Sequence, residues 1–356
     1  MESILASQGE WGRLLESAIR IKQMAPWEWM NEADVFGVQD PETRDIGFIS
    51  VMGALGQHTA VGVYLGAAAF AKFLSLQQAP PDILDEYPEM LLEIPQLQVS
   101  FEDREELEDW ERQLLRNLNL KFRGRKAWPR FQSFRPGFMP WRLEPEEIKF
   151  LTLALEQLEQ VAPRIKEDRS FLLGEDPGML LIRAGRTRDW IAGEWEDRYE
   201  RISPPPLPQV PRTWDSRHIK KLKLSASRGD IIELDFFMYP GSIGEKGQRP
   251  QVGYILLALH AQSNMVLGAE ILGVTESIEH MLGRIPGLIL SKLADSGLRP
   301  KEIHVQSLRL FDVLHPAFKE LGTKIVHKPA LKKLRAAKRE FLAFFAKGPP
   351  KFQGGM

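Results

Sequence analysis

The sequence predicts two domains in series, an N-terminal α+β domain and a C-terminal α/β domain built on a mixed sheet. Three observations carry that reading. The chain has 356 residues, and single cores stop growing beyond roughly 250–300 residues. Within Ser203-Pro204-Pro205-Pro206-Leu207-Pro208-Gln209-Val210-Pro211, five prolines fall in eight residues, which neither a helix nor an internal strand tolerates. Beyond that stretch the apolar periodicity runs strand, strand, strand, helix, strand, helix, strand, helix (βββαβαβα). The expected division is residues 1–202, a proline-rich linker at 203–211, a second domain at 212–347 and a disordered tail at 348–356. For the linker, a stiff polyproline spacer is preferred to a ligand for a polyproline-binding module.

Composition removes several function classes. The chain contains no cysteine, so disulfide frameworks, thiolate zinc sites, iron–sulfur clusters and cysteine nucleophiles are all excluded. A formal net charge of −1 gives no global field toward nucleic acid or an anionic membrane, so such a partner would need a local patch. The first residues lack a basic segment followed by an apolar core, so no secretory signal is expected. The longest apolar stretch, Val51 to Leu74, is broken by Gln57, His58 and Lys72, and reads as a buried strand followed by an Ala-rich helix rather than a membrane span. The cytoplasm is the expected compartment, with no membrane and no cofactor.

In the N-terminal half, Trp11, Leu14, Leu15, Ala18, Ile19 and Ile21 follow helical spacing. Strands are expected at Val35–Val38 and Ile46–Met52 around the turn Asp40-Pro41-Glu42, and near Ala60–Tyr64 before a helix at 66–77. Ile83–Leu92 and Glu102–Leu118 read as helices. Ile148–Val161 reads as a strong helix entered through Pro145. Met179–Arg183 and Ile191–Ile202 read as closing strands. From Asp82 to Glu111 there are twelve acidic residues and one base, Arg104. The segment Lys121–Arg130 that follows interleaves cations with Phe122 and Trp128, a pattern that can grip single-stranded nucleic acid. The preferred reading is a strand pair with rings toward the core, neutralised by the neighbouring acids.

In the C-terminal half, Ile232, Leu234, Phe236 and Met238 alternate as in a strand. Two more strands, VGYILLALH and MVLGAEILG, follow. Helical stretches are expected at Glu276–Ala294, Leu308–Leu321 and Pro329–Ala346, with strands Glu302–Gln306 and Thr323–His327 between them. Pro286 and Pro316 are expected to kink or divide the first two helical stretches.

That order, together with Glu233-Leu234-Asp235 on the first strand, Pro300-Lys301-Glu302-Ile303-His304 entering the fourth and Phe318-Lys319-Glu320-Leu321-Gly322 before the fifth, resembles the ribonuclease H-like fold of integrases and transposases over residues 229–346. The resemblance implies carboxylates converging on two Mg²⁺ ions that activate a nucleophile and stabilise a leaving oxygen. Asp235 stands where the first-strand carboxylate belongs, and Glu340 lies near the spacing of a third acid. Where the fourth strand should end in aspartate, this chain has Gln306. Glu279 and Asp312 are the remaining acids in reach by sequence. An incomplete site favours a non-catalytic binding or scaffold protein with a protein partner. A Mg²⁺- or Mn²⁺-dependent nuclease or strand-transfer enzyme using Asp235 and Glu340 is the alternative. The whole chain is also similar to bacterial proteins built from two domains of unknown function.

Other constellations are weaker. No HxH or HExxH occurs among the seven histidines, although His260, His304 and His327 end neighbouring expected strands. Gly241–Gly247 joins two expected strands and lacks the Ser or Thr that follows the lysine of a phosphate loop. The final helix is expected to carry Lys332, Lys333, Arg335, Lys338, Arg339 and Lys347 around Leu334, Phe341 and Phe345. It is expected to pack its apolar face on the sheet and show its cations to water, with a nucleic-acid or anionic surface as the alternative partner.

Overall fold

The computed structural model describes residues 7–346 apart from 55, 57, 80–88, 188–192, 207–210, 228 and 246. It is a mixed α/β structure that divides into two units. One takes Met1–Pro81, Leu91–Arg135 and Pro140–Pro206, and the other takes Asp82–Met90, Pro136–Met139 and Leu207–Met356.

The first unit runs α1 (Gln8–Met24), β1 (Phe36–Gln39), β2 (Ile46–Met52), β3 (Ala60–Leu65), α2 (Gly66–Gln77), β4 (Gln96–Glu102), α3 (Asp109–Asn117), β5 (Trp128–Phe134), α4 (Pro145–Glu167), β6 (Met179–Gly185) and β7 (Trp195–Arg201). Its seven strands are ordered β5-β4-β3-β2-β1-β6-β7. Pairing is antiparallel except between β1 and β6. Trp11, Leu14 and Leu15 of α1 meet Leu151, Leu155 and Leu158 of α4 over Val61, Val63 and Val99 of the sheet. Ala69 and Phe73 of α2 pack with Phe48 and Tyr64 in a second cluster. The alternating side chains of β2, β3 and β6 thereby serve two cores. Arg13–Glu156 and Arg20–Glu159, each at 2.8 Å, join α1 to α4 along their solvent side.

One expected helix is replaced. Glu102–Leu118 is the end of β4, a 3₁₀ turn at Arg104–Glu106 and then α3. Leu97, Val99 and Phe101 alternate with Gln96, Gln98 and Ser100, a period of two that makes a strand. The acidic run after it supplies starts rather than a continuous helix: Asp103 with Glu106 and Glu108 with Glu111 form two capping boxes. Of the helix expected at Ile83–Leu92, residues 83–88 lie outside the described residues, and Glu89–Leu92 is a single helical turn. Residues 191–192 of the expected last strand also lie outside them, and β7 begins at Trp195.

The second unit runs α5 (Ser216–Leu224), β8 (Ile231–Ile243), β9 (Gln251–His260), β10 (Met265–Leu272), α6 (Ile278–Ser296), β11 (Glu302–Val305), α7 (Leu308–Leu321), β12 (Lys324–His327) and α8 (Lys332–Ala346). The five strands are ordered β10-β9-β8-β11-β12. β8, β11 and β12 are mutually parallel, and β9 runs against β8 and β10. Leu331, just before α8, and Leu334 within it pack with Phe237, Ile255, Leu257 and Leu259 on one face. The opposite face carries α6, against which α5 and α7 pack. Neither Pro286 nor Pro316 divides its helix. An internal proline costs about 3 kcal/mol, and α6 buries Leu282, Ile285, Leu290 and Leu293, each contributing roughly 1.5–3 kcal/mol. Gly297 and Gly322 end α6 and α7 in the left-handed conformation, φ 63° and 80°, where a side chain would be strained.

Candidate functional site

On β8 the alternation that sends Ile232, Leu234 and Phe236 toward one face sends Glu233, Asp235 and Phe237 toward α8. The register sets Glu233 beside His304 of β11, so Glu302, His304 and Gln306 extend the same face. A strip of polar groups therefore crosses the centre of the sheet beneath α8.

Asp235 is 2% exposed. Its Oδ1 accepts the N–H of Phe236 at 2.9 Å, and Lys338 Nζ of α8 donates to its Oδ2 at 3.3 Å. The Lys338 side chain is itself only 13% exposed, and its ammonium stands 4.4 Å from the centre of the Phe237 ring, a favourable place for a cation. The carboxylate on the central strand thus has a positive charge from its own chain set against it.

At the end of β11, Gln306 Oε1 accepts the Leu331 N–H at 3.4 Å and Arg335 Nε at 3.3 Å. The Gln306 carbonyl lies 2.9 Å from His327 Nε2. A carbonyl only accepts, so that nitrogen carries the proton. His304 lies 2.8 Å from Glu302 Oε2, and this hydrogen bond holds the Glu302 carboxyl below its usual range. Glu233 is buried with its Oε2 lacking a hydrogen-bond partner. Among the described residues, no group of three or more His, Asp and Glu side chains is placed to hold a metal ion.

Of the residues singled out by sequence, the structure brings Asp235 and Gln306 onto one face under α8. Glu340 is exposed; two residues beyond Lys338, at about 100° per residue, it turns away from the sheet. Asp312 is exposed on α7, and Glu279 lies on α6, across the sheet from Asp235. The three strand-end histidines do not converge: His260 shares the face of Ile232 and approaches Asp230 at 3.1 Å, whereas His304 faces α8. The residues that sequence reasoning missed are Lys338 and Arg335. Their signal was position: they stand three residues apart beside the apolar stripe Leu331, Leu334 and Phe341. The expectation that every cation of the last helix faces water is therefore corrected at Lys338. The Phe345 side chain lies outside the described residues.

Of the basic, aromatic segment Lys121–Arg130, only Trp128–Arg130 lie in a strand, the start of β5, and residues 121–127 before them are loop and turn rather than the first strand of a pair. Phe131 enters the core, Trp128 leans on Phe122 at 5.6 Å, and Arg104 lies over Trp128 at 5.8 Å. Arg130 points to Glu108 and Glu111 at 3.7 and 3.6 Å. Burial raises the Glu111 carboxyl, against the pull of backbone hydrogen bonding and Arg130.

Comparison with known proteins finds two matches in succession along the chain. Residues 11–183 match a Domain of unknown function (DUF7309). Residues 218–342 match a Domain of unknown function (DUF6930). No curated protein matches the chain. Among solved structures, one chain of a simian T-cell lymphotropic virus intasome in complex with PP2A regulatory subunit B56 gamma is similar at 14% identity and a TM-score of 0.25. That similarity covers 36% of this chain and 46%, less than half, of the other. Among the described residues no helix is long and apolar enough to cross a membrane.

Proposed function

We propose that the second unit is a ribonuclease H-like domain whose metal chemistry has been replaced by an internal cation, and that the protein is a non-catalytic binding or scaffold protein. The proposed domains are residues 1–202 and 212–347, joined by the linker 203–211. The strand order β10-β9-β8-β11-β12, with three parallel strands and β9 reversed beside β8, supports the fold reading. The observation that carries the functional reading is the buried Lys338–Asp235 pair at 3.3 Å. A Mg²⁺ ion is held by several hard oxygen ligands, at least one or two of them carboxylate. Here the first carboxylate faces an ammonium, the second position is the neutral amide of Gln306 engaged by Arg335, and Glu340 is turned outward. These residues do not fit the two-ion group of that fold family. The cytoplasm is the compartment proposed for the protein.

The test is a Mn²⁺ titration by calorimetry of the full chain and its Asp235→Ala variant, with a nuclease assay on single- and double-stranded DNA beside it. The expected result is the same weak, unsaturable heat for both proteins and no cleavage. Saturable binding or metal-dependent cleavage that Asp235→Ala abolishes would overturn the reading in favour of a nuclease or strand-transfer enzyme.

A further inference from the structure

On the face of the second sheet opposite Asp235, β8, β9 and α6 do not close completely. They leave a cavity of about 130 Å³. Its walls are mostly hydrocarbon, from Ile232 and Leu234 of β8, Leu256 and Ala258 of β9, and Ile289 and Leu293 of α6, and the Ser296 hydroxyl that also lines it donates to the Leu293 carbonyl at 3.1 Å. Gly268 of β10 also lines it, and a Cβ built there meets nothing within 4 Å. A water held deep inside would need two to four polar partners, and Ser296 supplies one away from the charged rim. An apolar hole of about 150 Å³ takes up a small hydrocarbon guest, so a branched four-carbon tail is of the right bulk.

The rim is chemically different. Glu270 of β10 and Lys292 of α6 line the same cavity and pair at 2.5 Å, with side chains 37% and 51% exposed. We propose that this cavity binds a small zwitterion with a branched aliphatic tail, a free amino acid of the leucine class, tail inward and charged head between Lys292 and Glu270. Charge complementarity selects the head. An aliphatic acid would meet Lys292 but set its carboxylate against Glu270, and an aliphatic amine would meet Glu270 but set its ammonium against Lys292. A zwitterion answers both, its carboxylate accepting from Lys292 and its ammonium donating to Glu270. Opening the existing pair costs little, because half-exposed ion pairs contribute weakly. The inference is independent of the Asp235 reading, which concerns the other face of the sheet, and it would make the binding protein one that responds to a metabolite.

The experiment is calorimetry on the full chain with L-leucine, isocaproate (no ammonium), isoamylamine (no carboxylate) and glycine (no tail). Leucine is expected to saturate at about millimolar concentration, isocaproate and isoamylamine to bind ~3-fold or more weakly, and glycine not to bind. Gly268→Val, which grows into the open space, is expected to abolish leucine binding while keeping the thermal midpoint. Glu270→Gln and Lys292→Gln, on the exposed rim, are expected to weaken it ~3-fold or more without loss of fold. Absence of leucine binding at tens of millimolar overturns the proposal. So does equal binding of isocaproate or isoamylamine, or undiminished binding by a folded Gly268→Val protein.

Discussion

At Asp235 the energetics of a buried charge can be read directly. A carboxylate 2% exposed survives ionised only with hydrogen bonds and an opposite charge, and Lys338 supplies the latter. Removing one partner of a buried pair costs about 3–5 kcal/mol, whereas replacing both by apolar groups is often neutral. Lys338→Met is therefore expected to destabilise the protein by about 3 kcal/mol in urea titrations, and Asp235→Leu with Lys338→Met to recover most of that loss. A double variant no more stable than the single would contradict the pairing. Asp215 gives a second prediction. It caps α5 by accepting the Arg217 N–H at 2.8 Å, and the Arg217 side chain and N–H pull its carboxyl down to about 2. A carboxyl lowered in the folded state contributes its stabilisation in full above the unfolded value, near 4, and loses it as pH falls through the folded one. The cap is thus expected to hold down to about pH 2. Carboxyl NMR across that range should show Asp215 titrating near its lower end, with the α5 amides shifting in step. In Asp215→Asn, which caps as well, that step should be absent.

At the scale of elements, helix ends and faces decide where each segment stops and what it covers. α6 and α7 each end at a left-handed glycine, φ 63° at Gly297 and 80° at Gly322. Gly297→Ala and Gly322→Ala are each expected to lower stability by about 1 kcal/mol, and the two costs to add because they end different helices. α8 is held by a few large contacts. Leu334 is 1% exposed against Phe237 and Ile255, so Leu334→Ala is expected to cost about 2–5 kcal/mol. Guanidinium midpoints measure both series. The elements with clear periodicity were legible in the sequence: Ile46–Met52 is a strand over those same residues, and the helix 66–77 likewise. β4 was not, because Gln96, Gln98 and Ser100 gave one face of the strand a polar look in the shadow of an acidic run. α5 was also missed. Its nine residues bury only Ile219 and Leu222, too few for a helical stripe to stand out.

At the scale of the molecule, each unit has its own sheet and its own core. A fragment of residues 212–347 is expected to unfold cooperatively, followed by circular dichroism during heating. Its midpoint should lie below that of the full chain, since Pro136–Met139 group with this unit and Met139 donates its N–H to the Pro250 carbonyl at 2.8 Å. A broad, non-cooperative melt would contradict an independent core. The sequence by itself determined the mixed α/β class, the order of the elements from β8 onward and the weakness of Gln306 as a metal ligand, because alternation, helical period and side-chain chemistry are local properties. Only the tertiary structure decided that Lys338 meets Asp235, that Glu340 does not, and that a hydrocarbon cavity opens beside Lys292 and Glu270. The first two facts depend on how α8 is rotated on a strand 103 residues away in the chain, and the third on how α6 lies over the opposite face. The rotation of α8 is set by the packing of Leu331 and Leu334 against Phe237 and its neighbours, a contact no local pattern contains.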